Sequence, residues 1–418
     1  MEGVTVMDAV NNSNFEVVKW LIANGCPFEP PEGEDLSALC NAASNAGHLE
    51  MLKWLVVRGC KFSINTPHHA ATGGHFKVLK WLKKKKCPWD ENTSIAAAFN
   101  GHFDILKWLK GNGCPLDSEA LNGAALGGHL EMAKFLRESG CEWNEQTCSS
   151  AAQGGHLELL KWLRENGAPW DEDTCSHAAA EGRFEVLKWA RENGCSCDEN
   201  VCAEACRIGR FDILKWAREN GCPLTVSACW HAADQGSLEM LKWLRANDAP
   251  WNEKICIVAA VKGNLEMLKW ARENGCPWNE VACTMAVRGS HFEVLKWLKE
   301  NGCQWDSLDC CTAAVRVRRF DILDWLLENG CSLNASLFEV AAVSGNLDSL
   351  QMLKEKGCPW DSRTSHGAAA CGRLENLKWL LENGCPWNDR EAIPGAPGHV
   401  QQWAMKNGWT SWNGTSFE

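Results

Sequence analysis

Two residue types in this chain could ligate a metal or act as nucleophile and base: 24 cysteines and 12 histidines, most of them in recurring columns. Twelve cysteines stand in a Gly-Cys column, among them Cys114, Cys141, Cys195, Cys222, Cys276, Cys303, Cys331 and Cys385. Seven more, Cys148, Cys175, Cys202, Cys229, Cys256, Cys283 and Cys310, stand in a second column. A zinc site wants pairs such as Cys-x-x-Cys; none occurs, and Cys195-Ser-Cys197 and Cys310-Cys311 have the wrong spacing. Stacked helices lie roughly 10 Å apart, whereas a disulfide tolerates Cα separations only to about 7 Å, so a column cannot zip into bridges. The thiols therefore read as small apolar side chains, reduced and buried, in a chain expected to be cytoplasmic or nuclear. The histidines His48, His75, His102, His129, His156 and His291 share their column with Arg183, Arg210, Ser237, Asn264 and Arg373. That column asks for a polar side chain near a helix start, not for acid–base chemistry. No nucleophile–base spacing, phosphate-binding glycine loop or convergent carboxylate pair stands out, so neither an enzyme nor a cofactor or metal site is expected.

Aromatic and charged side chains follow the same logic. The Lys-Trp column (Trp54, Trp108, Trp162, Trp216, Trp270) could be an aromatic ladder for a ligand, but a residue present in almost every layer reads as packing between helices. The Cys-Pro-Trp column (Trp89, Trp143, Trp170, Trp251, Trp278, Trp305, Trp360, Trp387) lies in loops, where packing over the next unit competes with a binding ridge. Lys83-Lys84-Lys85-Lys86 is the one strong departure in charge: it replaces Arg-Glu-Asn-Gly and with it the glycine that stops a helix. A solvated helix end explains it most simply; a contact with an acidic partner, and nuclear import or nucleic acid, are the alternatives. The net charge of −11 argues against general binding to nucleic acid or to an anionic membrane.

The element that positions all of these is a repeat. Taking the tryptophan of Leu-Lys-Trp as a marker, Trp54, Trp81, Trp108, Phe135, Trp162, Trp189, Trp216, Trp243, Trp270 and Trp297 follow one another at steps of 27 residues. Such self-similarity means a solenoid, in which stacking neighbours supply a core no unit could bury alone. Within a unit, Asp171 to Thr174 offers an N-cap and an acidic first turn for a short helix that ends at Gly182. Phe184, Leu187 and Ala190, widened by Val186 and Trp189, form the apolar stripe of a second helix. In that helix Glu185 faces Lys188 three residues on, and Asn193-Gly194 stops it. The expected fold class is therefore all-α: a helix-turn-helix solenoid of about fifteen stacked units, a curved rod on the order of 140 Å long at roughly 10 Å per layer. Residues 1–28 read as an N-terminal capping repeat, 29–36 as an acidic Pro-rich insertion, 37–388 as the regular array and 389–418 as a worn C-terminal cap. The spacing slips once, to 28, between Trp297 and Trp325, where the Gly-His corner is replaced by Val315-Arg316-Val317-Arg318-Arg319. No apolar run approaches membrane-spanning length, and the first residues carry no secretory pattern.

Gly101-His102-Phe103-Asp104-Ile105-Leu106-Lys107-Trp108-Leu109 resembles the second helix of an ankyrin repeat, and Asn112-Gly113-Cys114-Pro115-Leu116-Asp117 is similar to the Asn-Gly-Ala-Asp-Val-Asn that follows it. The alanine pairs Ala97-Ala98, Ala124-Ala125, Ala151-Ala152 and Ala178-Ala179 match as well. The likeness covers almost the whole chain and departs from the family in two ways. Units are 27 residues long where ankyrin units have 33, which implies that the β-hairpin fingers are shortened or absent. Thr-Pro-Leu-His survives only as Thr66-Pro67-His68-His69. Short units with this signature resemble those of expanded protist and giant-virus families. The resemblance implies a protein–protein interaction scaffold or adaptor binding on its concave helix face. The alternative it implies is a secreted or viral effector that recruits a host protein for degradation or signalling.

Specificity in such a scaffold rests on positions that differ between repeats, the residues flanking the alanine pair of the first helix. Read in order these include His177, Glu181, Glu204, Arg207, Trp230, His231 and Asp234, with Trp230 the large aromatic of its column. Aromatic and arginine side chains are typical interface anchors, so this set is the expected partner-binding patch. The expected partner is a protein bound by a monomer, with neither nucleic acid nor membrane involved.

Overall fold

The computed structural model describes residues 5–26, 37–344, 346–387, 392–393 and 395–407. The expected acidic insertion at 29–36 lies outside the described residues, as do 389–391, 394 and 408–418 of the expected C-terminal cap. Twenty-nine helices and no strands occur among the described residues, as fourteen consecutive pairs and a final helix, Gly398–Lys406. The fold is thus an all-α solenoid. The chain divides into two compact units, Met1–Leu224 with eight helix pairs and Thr225–Glu418 with six pairs and the final helix.

One repeat shows why these residues make these elements. Asp171 accepts from the Asp173 N–H (3.2 Å) at the start of helix Glu172–Ala180, and Gly182, at φ 66°, turns the chain into helix Phe184–Glu192. Val186, Leu187 and Ala190 of that helix are buried, and Glu185 and Lys188 pair at 3.0 Å on its exposed side. Each buried leucine contributes about 1.5–3 kcal/mol through apolar burial, whereas the exposed ion pair is worth at most about 1 kcal/mol. The stripe therefore decides the helix, and the charges only decorate it.

Stacking unites what the columns predict. Within each compact unit the first helices pack directly on one another, with alanine pairs such as Ala178-Ala179 fully buried between them. Second helices meet their neighbours through their ends: Arg191 donates to the Asn220 carbonyl (3.1 Å) and Lys83 to that of Asn112 (3.0 Å). The loop tryptophan of one repeat stands edge-on to the helix tryptophan of the next, as Trp89 to Trp108 (5.7 Å) and Trp170 to Trp189 (5.9 Å). A cation from the preceding helix end covers it, as Arg164 does Trp170 at 4.1 Å. Both tryptophan columns are thus packing.

The single slip in spacing needs correction. The corner before Phe320 keeps its length, since Arg319 N–H bonds Ala314 as His291 N–H bonds Ala286. The extra residue enters ahead of it, at the start of helix Ser307–Arg316. Cys311 lies three residues before Ala314, the acceptor of the Arg319 N–H, as Cys283 lies three before Ala286, the acceptor of the His291 N–H, so it is the counterpart of Cys283, and Cys310 is displaced from the column.

Candidate functional site

The recurring polar side chains are consumed by structure. The corner histidines do not cap their own helices; His75, His102, His129, His156 and His291 each reach back one repeat. The Nε2–H of His75 donates to the Asn45 carbonyl (2.8 Å), that of His102 to Thr72 (3.1 Å) and that of His156 to Leu126 (3.0 Å). A backbone carbonyl can only accept, so the ring nitrogen must carry the proton. Arg183, Arg319 and Arg373 do the same for Gln153, Ser290 and Val343, while Ser237 and Asn264 cap their own helices instead. The column therefore closes the open carbonyl end of the preceding first helix, a role beyond the helix start expected from sequence.

The cysteines follow suit. All 24 are free thiols, and 21 are buried. In the Gly-Cys column the thiol donates to a loop carbonyl of its own repeat, as Cys195 to Asp171 (3.1 Å) and Cys114 to Asp90 (3.3 Å). Burial pushes the Cys87 and Cys229 thiols up to about 12, so they are poor nucleophiles. Among the described residues no cluster of three His, Cys, Asp or Glu could hold a metal ion, and no helix is long and apolar enough to cross a membrane.

What remains are the side chains that do not recur. In the first compact unit, His177 sits half-buried on helix Glu172–Ala180, its Nδ1 enclosed without a hydrogen-bond partner, and Glu181 is exposed at that helix's C-terminus. On the next first helix, Asn200–Arg207, Arg207 pairs with Glu204 and donates from Nη2 to the Ala180 carbonyl (3.1 Å). Arg207 and Glu204 are thereby brought beside the C-terminal end of helix Glu172–Ala180, next to Glu181. In the second unit, Trp230 and His231 stand half-buried on helix Val226–Asp234 with ring centroids 4.7 Å apart. Asp234 pairs with Lys262 of the following first helix at 3.0 Å. Sequence reasoning missed Lys262, although it varies in the column of Glu181 and Gln235. It also missed a surface cleft of about 420 Å³ lined by Arg316, Glu339, Val340, Val343 and Ser344. Arg316 occupies the column of Arg207 and Asp234, and Glu339 that of Trp230, once the displaced residue before Cys311 is allowed for.

The family-model matches agree with the geometry. A family model described as ankyrin repeats (3 copies) matches residues 6–93, 67–147 and 93–174, and one described as ankyrin repeats (many copies) matches 256–298. Together these matches span just over half of the chain. No curated protein matches. Among solved structures, the chain is similar to the human ASB11 ankyrin repeat domain at 18% identity and a TM-score of 0.31, over 40% of this chain and 85% of that one.

Proposed function

The chain belongs to the ankyrin repeat family, and from that premise we propose that it is a non-enzymatic protein-interaction scaffold or adaptor that holds its partner against the face built by its first helices. The observation that carries this reading is a division of labour. Recurring tryptophans, cysteines and corner histidines are spent on packing and capping, while His177, Glu204, Arg207, Trp230, His231, Asp234 and Lys262, which do not recur, stand on first helices. His177, Glu181, Glu204 and Arg207 form one part of the binding face; Trp230, His231, Asp234 and Lys262 form another. The cleft at Arg316 and Glu339 extends the same columns. Partly buried Trp230 is the anchor such a face needs, and the charged residues around it select the partner. In this reading the described residues 5–26 and 395–407 cap the array, and the protein acts as a monomer in the cytoplasm.

Immobilised protein tests the assignment by capture of partners from native lysate, with wild type beside Trp230→Ala/Arg207→Glu and Glu339→Lys. A stoichiometric partner lost from the first-helix variants, but kept by Glu158→Gln on a second helix, is the expected result. A partner held equally by all variants would overturn the assignment of the face.

A further inference from the structure

One repeat breaks the pattern of charge kept by its neighbours. Helix Phe76–Lys84 has no acidic residue in its first turn, whereas the thirteen other paired second helices each carry one. Lys77 stands there instead, against the helix dipole. Lys80 consequently lacks the carboxylate that its counterparts Lys53 and Lys134 hold three residues back. At the other end, nine second helices finish on glutamate, while this one finishes on Lys84. One residue later comes Lys85, and Lys86 then adopts φ 58° where twelve repeats place glycine and one, at Asp248, aspartate. A lysine in the left-handed region costs roughly 1–2 kcal/mol. Favourable charge at a helix C-terminus accounts for Lys84 and Lys85; it accounts for neither Lys77 nor Lys86.

These departures converge in space. Lys77, Lys80 and Lys84, at i, i+3 and i+7, share one exposed stripe that Lys85 and Lys86 extend. Lys83 belongs to the packing, over Trp89 and bonded to Asn112. Between Arg58 and Lys110 the chain holds ten basic and three acidic residues, in a protein of net charge −11, and among the described residues none of those basic side chains has an ion-pair partner. Beside Lys84 the neighbouring second helices present Val57, 87% exposed, and Gly111, so neither of these counterparts offsets the charge.

We propose that the lysine stripe of helix Phe76–Lys84 is a second docking surface, which takes a short acidic polypeptide segment. It stands apart from the first-helix face. Shortness follows from its borders, because Glu50 and Asp104 flank its N-terminal end and the rest of the chain is acidic, an unfavourable path for a long polyanion. A peptide follows from the exposed Val57, which offers an apolar contact beside the charges. Lysine heads suit scattered carboxylates, whereas bidentate recognition of phosphate favours arginine.

The test uses the full chain and fluorescence anisotropy of labelled octaglutamate, with octaglutamine, an eight-nucleotide thymidine strand and phosphatidylserine vesicles in parallel. The variant is Lys77→Glu/Lys84→Glu/Lys86→Gly, which returns the repeat to the pattern of its neighbours and so keeps or raises the melting temperature. Octaglutamate is expected to bind wild type, more weakly as salt rises, and the variant about tenfold or more weakly than wild type. Octaglutamine should not bind. Equal binding to both proteins, or none to wild type at low salt, would overturn the proposal. Tighter binding of the oligonucleotide or the vesicles than of the peptide would overturn its choice of partner.

Discussion

Replacement of Gly128 by alanine should cost far more than the same change at Gly140, although both glycines lie in the left-handed region, at φ 76° and 94°. An alanine there costs roughly 1–2 kcal/mol in either place. At Gly140 nothing lies within 4 Å of the new methyl group, so the conformational cost is the whole cost. At Gly128 the methyl would fall 2.4 Å from His156 Nδ1 and 2.5 Å from Cε1. The ring must then leave, breaking its 3.0 Å bond to Leu126 and uncapping the preceding first helix. Loss of that bond adds about 1 kcal/mol and the orphaned carbonyl about as much again, for a total of about 3–4 kcal/mol. Urea unfolding followed by far-ultraviolet circular dichroism and tryptophan fluorescence measures the difference. A double-mutant cycle with His156→Ala isolates the cause: once the ring is gone, Gly128→Ala should cost no more than Gly140→Ala, a coupling of about 1–2 kcal/mol. Equal costs for the two glycines in the presence of His156, or strict additivity in the cycle, would refute the inter-repeat cap.

Lys86→Gly alone should stabilise the protein by about 1 kcal/mol, read as a higher urea midpoint, because it relieves the left-handed lysine. In a thiol titration, exposed Cys371 and half-buried Cys26 and Cys197 should react first under native conditions, and denaturation should bring the total to 24. The Arg210 guanidinium, hydrogen-bonded to Asp212, holds that carboxyl at about 2, well below its ordinary value. A lowered folded-state value contributes stability that is present above pH ~4 and lost as pH falls toward ~2. Asp212→Asn should therefore remove a small part of the loss on acidification, under about 1 kcal/mol since the pair is largely exposed, as thermal melts at pH 2, 4 and 7 would show.

Residues that act within one repeat were legible in the sequence. The N-cap at Asp171, the turn at Gly182, the stripe of Val186, Leu187 and Ala190 and the Glu185–Lys188 pair all follow from spacing along one chain segment. Interactions between repeats were not, because they join residues about 30 positions apart and depend on how helices stack. The capping of Asn45 by His75, for example, looks from sequence like a helix-start preference. Likewise the pairing of Asp234 with Lys262, two varying positions one repeat apart, has no local signature. The extra residue before Cys311 was assigned to the corner because Arg318 replaces its glycine, yet a non-glycine residue can occupy that position, as Ser13 and Ser290 also do. Of the partner-binding set, the residue types were visible but not their engagements; Arg207 is already tied to Glu204 and Ala180.

The central claim, that the first-helix face holds a protein partner, is tested most directly by amide hydrogen exchange on the complex of this protein with its captured partner. The account predicts slowed exchange in peptides covering 172–181, 200–208 and 226–235, with second-helix peptides such as 184–192 unchanged. Protection confined to second helices or loops, with the first helices exchanging as in the free protein, would contradict it.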